Sequence, residues 1–254
     1  MKITKSLRSI AHQIIPEEIY RKLRNIAMSR FLRDVDCISI SEKLALIDYL
    51  YTIHKNVSCP HKQEEVLQFM RAIFKVPEDM AGVVIEAGCY KGGSTAKFSL
   101  ACKNKNRKLV VFDSFQGIPE NSERHGNNIY GVKTKFSAGD YCGTLSEVKQ
   151  NVAAYGDIAG CEFIEGWFED TLPKFHEPVC AAYIDVDLKS STKTCLKYIF
   201  PLLQPGGIIV SQDGHLPLVI EAFDDDNFWA EDIGVPKPKI YGLRNSKILR
   251  IIKE

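Results

Sequence analysis

No apolar run in this sequence approaches the roughly 18 residues a bilayer-spanning helix needs. The opening MKITKSLRSIAHQ has neither an apolar core nor a small-residue cleavage site, so no membrane span and no secretory leader are expected. Net charge is nearly absent: at +1 the chain has no excess that would mark a nucleic-acid binder or an acidic solvated protein. No internal repeat is visible. Paired cysteine spacings are missing as well. The eight cysteines stand at 37, 59, 89, 102, 142, 161, 180 and 195, with no C-x-x-C and no repeated interval, which argues against a zinc site or a disulfide framework. Several lie in apolar strand-like runs such as PVCAAYI and GCEFIEG, where a free thiol behaves as a small core residue. Reduced thiols and a cytoplasmic location are expected.

What is present is an alternation of strand-like and helix-like segments. The 254 residues suffice for one large α/β domain or one domain with an appendage. Charge is uneven: residues 1–33 carry +6 and the remainder −5. PEEIYRKLRNIAMSRFL, from Pro16, has a helix-start pattern of proline, two acids and later basic residues. It is either a basic amphipathic helix at a partner or inner-membrane surface or a solvated helix packed on the main domain. Helices are expected at 41–54 and 62–75. From residue 83 the order is strand GVVIEAG, helix GSTAKFSLACKNK, strand KLVVFD, a loop over 114–143, and helix TLSEVKQNVAAYG with a Thr144/Glu147 capping box. Strands CEFIEG and PVCAAYIDVD, helix STKTCLKYIFPLL and strand GGIIVSQ follow, then a helix at about 216–230 and closing strands PKIYGL and SKILRIIK. Such alternation implies an open, doubly wound, mostly parallel sheet. The loop at 114–143 exceeds usual lengths and is expected to act as a lid or binding loop.

Acids gather at the strand ends. AAYIDVDLKSST ends an apolar run with Asp185 and Asp187, and GGIIVSQDGH ends another with Asp213. On a strand, residues i and i+2 share a face, so Asp185 and Asp187 are expected to share one space. IEAGCYKGGST places Glu86, Gly88 and Tyr90 before Gly92 and Gly93 at a helix start, and Asp113 follows Gly88 by 25 residues at the tip of the second strand. A glycine turn lets a ligand approach the backbone, and an acid at that distance is placed for ribose hydroxyls. This suggests an adenosine-containing cofactor. Tyr90 stands where a dinucleotide fingerprint wants its second glycine, which disfavours a pyrophosphate. Glu86 suits a cationic methionyl group better than a phosphate.

DSFQGIPE, EVKQNVAAYG, EGWFEDTLP and IDVDLKSSTKTCLKYIFPLLQPGG occur in order before the Asp213 strand end. Over about residues 82–215 the chain resembles the macrocin O-methyltransferase (TylF/MycF-like) family, which methylates sugar hydroxyls. The resemblance implies a seven-stranded Rossmann-like methyltransferase sheet over 61–254 with a helical N-terminal extension over 1–60. It implies S-adenosylmethionine, contacted by Glu86, Gly88, Tyr90, Gly92, Asp113, Ser114, Trp167 and Asp185, and an assisting Mg²⁺ held by Asp185 and Asp213. Asp187 is the implied general base, and His215 a further catalytic candidate. The family pairs two acids at the fifth strand end, whereas this chain has Asp213–Gly214. His215 or water would fill that position, or the metal binds weakly or not at all. Trp167 lies either against the adenine or in the core. The acidic run EAFDDDNFW is a weaker metal candidate than a solvated helix end. The acceptor expected is a sugar or glycosylated small molecule, with no nucleic-acid partner. A homo-oligomer and a weak membrane-surface contact through 1–33 are left open. The alternatives are a catechol-type methyltransferase and a non-catalytic cofactor-binding protein with a decayed metal site.

Overall fold

The computed structural model describes residues 25–254. The part of the expected N-terminal helix before residue 25, with most of the basic segment, lies outside them. Five apolar runs form parallel strands: β1 (Val83–Ala87), β2 (Leu109–Asp113), β3 (Cys161–Glu165), β4 (Val179–Ile184) and β5 (Leu203–Ser211). Two short antiparallel strands, β6 (Ile240–Tyr241) and β7 (Leu249–Ile252), complete a seven-stranded sheet ordered β3-β2-β1-β4-β5-β7-β6. The order runs outward from β1 in one direction, then restarts on its other side with β4. The crevice beyond the carboxyl ends of β1 and β4 is therefore a topological switch point, where open α/β sheets bind ligands.

Helices cover both faces. α1 (Ile26–Asp34), α2 (Ile40–Asn56), α3 (Gln63–Lys75), α4 (Gly93–Asn104) and α5 (Leu145–Tyr155) share one apolar cluster with Val84, Val111 and Tyr183. α7 (Lys189–Leu202) and α8 (Pro217–Asp224) pack with Ile85, Ala87, Phe112 and Ile184 on the other face. α6 (Phe168–Thr171) is a single turn after β3. Alternate residues of a strand thus enter different cores, as the period of two demands. Among the cysteines, Cys102, Cys180 and Cys195 are buried in these clusters. Among the described residues no helix is long and apolar enough to cross a membrane.

Three expectations change in detail. α5 is capped by the Thr144 hydroxyl, which accepts the Glu147 N–H at 3.2 Å, but the Glu147 carboxylate pairs with Lys91 at 3.0 Å. The helix expected over 216–230 divides. α8 ends at Asp224, and the Asp225 carboxylate accepts the Phe228 N–H at 3.1 Å to start a separate π-helical turn, Phe228–Ile233. A short acid that caps locally competes with helix continuation. β4 stops at Ile184, so Asp185 and Asp187 stand on the turn after the strand.

Candidate active site

The cleft at the switch point encloses about 340 Å³. Its floor comes from the first residues beyond β1, β2, β4 and β5. Gly88 follows β1 with φ +83°, and its N–H donates to the Phe112 carbonyl at 3.0 Å. Asp113, at the end of β2, accepts the Cys89 N–H on Oδ2 and the Phe115 N–H on Oδ1, both at 2.7 Å. One carboxylate therefore ties the glycine turn to the start of the long loop. Burial raises the Asp113 pKa, opposed by those backbone donors. Ser114 lies beside it, its hydroxyl donating to the Gly117 carbonyl at 3.2 Å. Trp167 and Phe168 reach the same end of the cleft from the β3 end, and Gly166 donates its N–H to the Asp113 carbonyl at 3.0 Å.

Asp185, Asp187 and Asp213 line the opposite end. The two acids of the β4 turn do share one space, but the pleat does not put them there. Asp187 sits at φ +59°, and a left-handed residue in the turn returns its side chain to the cleft. Asp213 is 2% exposed. Its Oδ2 accepts the N–H groups of Val186 and Asp187, each at 3.0 Å, so the β5 end fastens the β4 turn. Burial, with the charge of Asp185, pushes Asp213 up to about 7 against the pull of those donors. Burial, with Asp213 and Asp185 beside it, pushes Asp187 well above the carboxylate range.

His61, in the loop before α3, was not singled out from the sequence. Its Nε2 meets Asp185 Oδ2 at 2.5 Å. Burial pulls the imidazole pKa down, but the charge and hydrogen bond of Asp185 overcome it and the net direction is upward. Lys247, Gln212 and Tyr141 also line the cleft. Tyr183 donates its hydroxyl to Gln212 Oε1 at 2.7 Å, and Gln212 Nε2 donates to Glu65 Oε2 at 2.6 Å. A lone His in CPHK and a lone Lys in RNSK carry no spacing signal, because they enter from outside the βα repeat.

The long loop crosses the cleft. Residues from Gly117 to Pro119, Lys133 to Phe136 and Tyr141 line it. The loop is tied down at two points. The Glu123 carboxylate accepts the N–H groups of Lys189 (2.9 Å) and Ser190 (2.8 Å), capping the start of α7, and Ile129 donates its N–H to the His215 carbonyl at 3.0 Å. His215 lines the cleft, and its ring stacks with Tyr130 of the loop at 6.4 Å. Burial lowers its pKa.

Two residues expected to touch the cofactor do not line the cleft. Gly92 is the left-handed N-cap of α4, at φ +79°, and a Cβ there would lie 3.0 Å from Val148 Cγ1. Glu86 shares its strand face with Val84, so it turns under α4 and is 0% exposed. No hydrogen bond reaches either carboxyl oxygen, nor the Nζ of Lys97, buried on the same face. Burial pushes Glu86 up to about 8, despite the nearby hydroxyls of Ser94 and Thr95. The folded protein then holds a proton that the unfolded chain releases near its ordinary 4.5. Stability from this group is present at low pH and is lost as pH rises from about 4.5 through about 8. Urea unfolding should show that decline in the wild type and a flatter profile in Glu86→Gln. Equal slopes in both would show that Glu86 does not titrate this way.

Residues 62–237 match the macrocin-O-methyltransferase (TylF) family model. The chain belongs to the TylF family. Among relatives, it is 29% identical over 157 residues to the 8-demethyl-8-(2,3-dimethoxy-alpha-L-rhamnosyl)-tetracenomycin-C 4'-O-methyltransferase of Streptomyces olivaceus, covering 58% of this chain and 59% of that protein. It is 29% identical over 152 residues to the mycinamicin III 3''-O-methyltransferase of Micromonospora griseorubida, covering 57% and 60%. The matched region thus spans about three-fifths of these relatives' length. In structure the chain is similar to the O-methyltransferase NovP, with TM-score 0.64 at 19% identity over 82% of this chain and 96% of that one. It is also similar to the calicheamicin methyltransferase CalS11, with TM-score 0.57 at 20% identity over 87% and 96%. These likenesses confirm the expected Rossmann-like sheet of this TylF-family chain.

The two expected ligand groups differ in fit. The end of the cleft holding Asp113, Trp167 and the half-buried Gly88 fits an adenosine: an acid for ribose hydroxyls, an aromatic side chain for the base and a glycine opening the turn. The donors for Mg²⁺ do not fit as expected. Asp185 is bonded to His61, Asp213 Oδ2 is taken by two backbone N–H groups, and position 214 has no side chain. Among the described residues no group of three His, Cys, Asp or Glu side chains is placed to hold a metal ion.

Proposed function

We propose that this chain transfers a methyl group from S-adenosylmethionine to a hydroxyl of a sugar or glycosylated small molecule. The observation that carries this reading is the arrangement of one cleft, at the switch point of a TylF-family sheet. Asp113 and Trp167 stand at its β2–β3 end, and Asp187 stands among the acids at its β4–β5 end. Relatives named as O-methyltransferases of rhamnosyl-tetracenomycin and mycinamicin support the substrate class. When bound, S-adenosylmethionine supplies a methyl on a sulfonium sulfur, which keeps the S–C electron pair as the acceptor oxygen bonds to carbon.

The chain's own residues divide the remaining work. Asp113 accepts the ribose hydroxyls with lone pairs left over from its two backbone bonds, and Trp167 covers the adenine. Asp187 takes the acceptor's hydroxyl proton. A carboxylate whose pKa burial has raised is a stronger base than an exposed one. The long loop closes over the acceptor through Lys133 to Phe136 and Tyr141. No step is routed through Mg²⁺, because among the described residues no three donor side chains are placed to hold it.

Asp113→Ala tests the cofactor half of this reading. Losing hydrogen bonds to a charged acceptor should weaken S-adenosylmethionine binding by about 1.5–3 kcal/mol, roughly 10- to 150-fold in Kd by calorimetry. Unchanged affinity would remove Asp113 from the site, and wild-type binding of NADH as tight as that of S-adenosylmethionine would overturn the cofactor. A screen of glycosides for methyl acceptance tests the other half.

A further inference from the structure

Given the methyl-transfer reading above, on which this inference rests, we propose that the side-chain ammonium of Lys247 takes the place of a divalent cation in this site. In this assignment it donates a hydrogen bond to the acceptor oxygen while Asp187 takes the proton.

The first observation concerns Gly214. The missing second acid at the β5 end is not a gap that a side chain could refill. A Cβ at 214 would lie 2.5 Å from Leu249 Cγ and 2.7 Å from the Ser246 carbonyl oxygen. That space is filled by the turn entering β7, and Gly214 donates its N–H to the Lys247 carbonyl at 2.8 Å. The close approach that forbids an acid at 214 thus brings the backbone of Lys247 against the β5 end. Loss of the ligand and arrival of the cation are two aspects of one packing arrangement.

The second observation is where the Lys247 side chain goes. It lines the cleft together with Asp185, Asp187 and Asp213. Its Nζ lies 3.2 Å from Glu65 Oε2, with the side chain 28% exposed and that of Glu65 14%. Glu65 is itself held by Gln212 Nε2, so the ammonium has a fixed anchor. An ammonium has three protons to donate; one serves Glu65, and the others remain for a ligand. Lys133 and Lys135, the other lysines lining the cleft, are exposed on the long loop, whereas Lys247 is on the bend that leads into β7 and is tied by its carbonyl to Gly214.

The third observation is that His61 and the two backbone N–H groups already engage Asp185 and Asp213. These acids form an internally bonded scaffold around the β4 turn. A fixed positive charge beside the reacting oxygen then does what a hard cation would do, stabilising negative charge as it develops. The step balances without a metal. The acceptor O–H bond breaks toward Asp187, the freed pair forms the new O–C bond, the S–C pair stays on sulfur, and Lys247 keeps its protons.

The test uses the full chain after chelator treatment. Mg²⁺ is titrated by calorimetry and Mn²⁺ followed by electron paramagnetic resonance, both with S-adenosylhomocysteine present. Neither ion should bind with a Kd below the millimolar range, and methylation of a glycoside acceptor should persist in chelator. Lys247→Met should lower kcat by about 10²-fold or more, the usual loss for one preorganised donor, and Lys247→Arg should recover part of it. Both variants should keep the fold and the wild-type S-adenosylhomocysteine affinity, because the Gly214 bond uses the backbone of 247; Lys247→Met should show in melting temperature only the loss of the Glu65 ion pair. Micromolar metal binding, a rate lost to chelator and restored by Mg²⁺, or full activity in Lys247→Met would each overturn the assignment. The metal titrations need no acceptor. An absence of methyl transfer to any glycoside would count against the proposed function, while metal binding would still decide the cation.

Discussion

Asp187→Asn should lower methyl transfer by about 10²–10⁴-fold, the range for loss of a positioned general base, while S-adenosylmethionine binds as in the wild type. Asn keeps the shape of the side chain and removes its capacity to take a proton. It is also a residue that tolerates the left-handed backbone which Asp187 adopts at φ +59°, so the turn should survive the change. The N–H of residue 187 still reaches Asp213 Oδ2, the bond that fastens the turn. In the proposed reading the cofactor binds at the other end of the cleft, at Asp113 and Trp167, so its affinity should be insensitive. Steady-state rates with a glycoside acceptor, read beside calorimetry with the cofactor, separate the two effects. Wild-type turnover would remove Asp187 as the base, and a parallel loss of cofactor affinity would mean that the substitution had disturbed the cleft as a whole.

The framework of this site was legible because β2, β4 and the end of β5 are short apolar runs that stop at or just before polar residues. Asp113, Asp185 and Asp213 mark where β2, β4 and β5 leave the core, and the switch point follows from the alternation of strands and helices. The reasoning from the pleat was less secure. It placed Asp185 and Asp187 together through a strand that in fact ends at Ile184, and the turn achieves the same grouping by a backbone angle that no residue type announces. The period of two, applied one strand earlier, separates Glu86 from the cleft: with Val84 it belongs to the face under α4, while Ile85 and Ala87 enter the other core. His61 and Lys247 were not legible at all. Each is a single polar residue in a connecting segment, brought to the acids only by tertiary packing.

Gly88→Ala should be among the most damaging small substitutions in the molecule. Two costs coincide at this position. The backbone angle of +83° disfavours any residue with a Cβ by about 1–2 kcal/mol. The Cβ itself would also stand 2.0 Å from the carbonyl oxygen of Asp185, a backbone atom that cannot rotate away. Relief requires β1 and the β4 turn to separate, yet Asp185 donates its N–H to the Ala87 carbonyl at 2.9 Å and Val186 donates to Asp213. The strain therefore spreads into the acids of the cleft. A loss of about 4 kcal/mol or more is expected, in the range reserved for a specific structural lesion, which corresponds to a fall in melting temperature of roughly 8–16 °C for a chain of this size. Gly234→Ala supplies the control. Its φ of +82° is nearly the same, but nothing lies within 4 Å of the added carbon, so it should show the backbone cost alone and leave S-adenosylmethionine binding unchanged. Equal destabilisation in the two variants would show that left-handed strain, and not the closeness of β1 to the Asp185 turn, governs position 88.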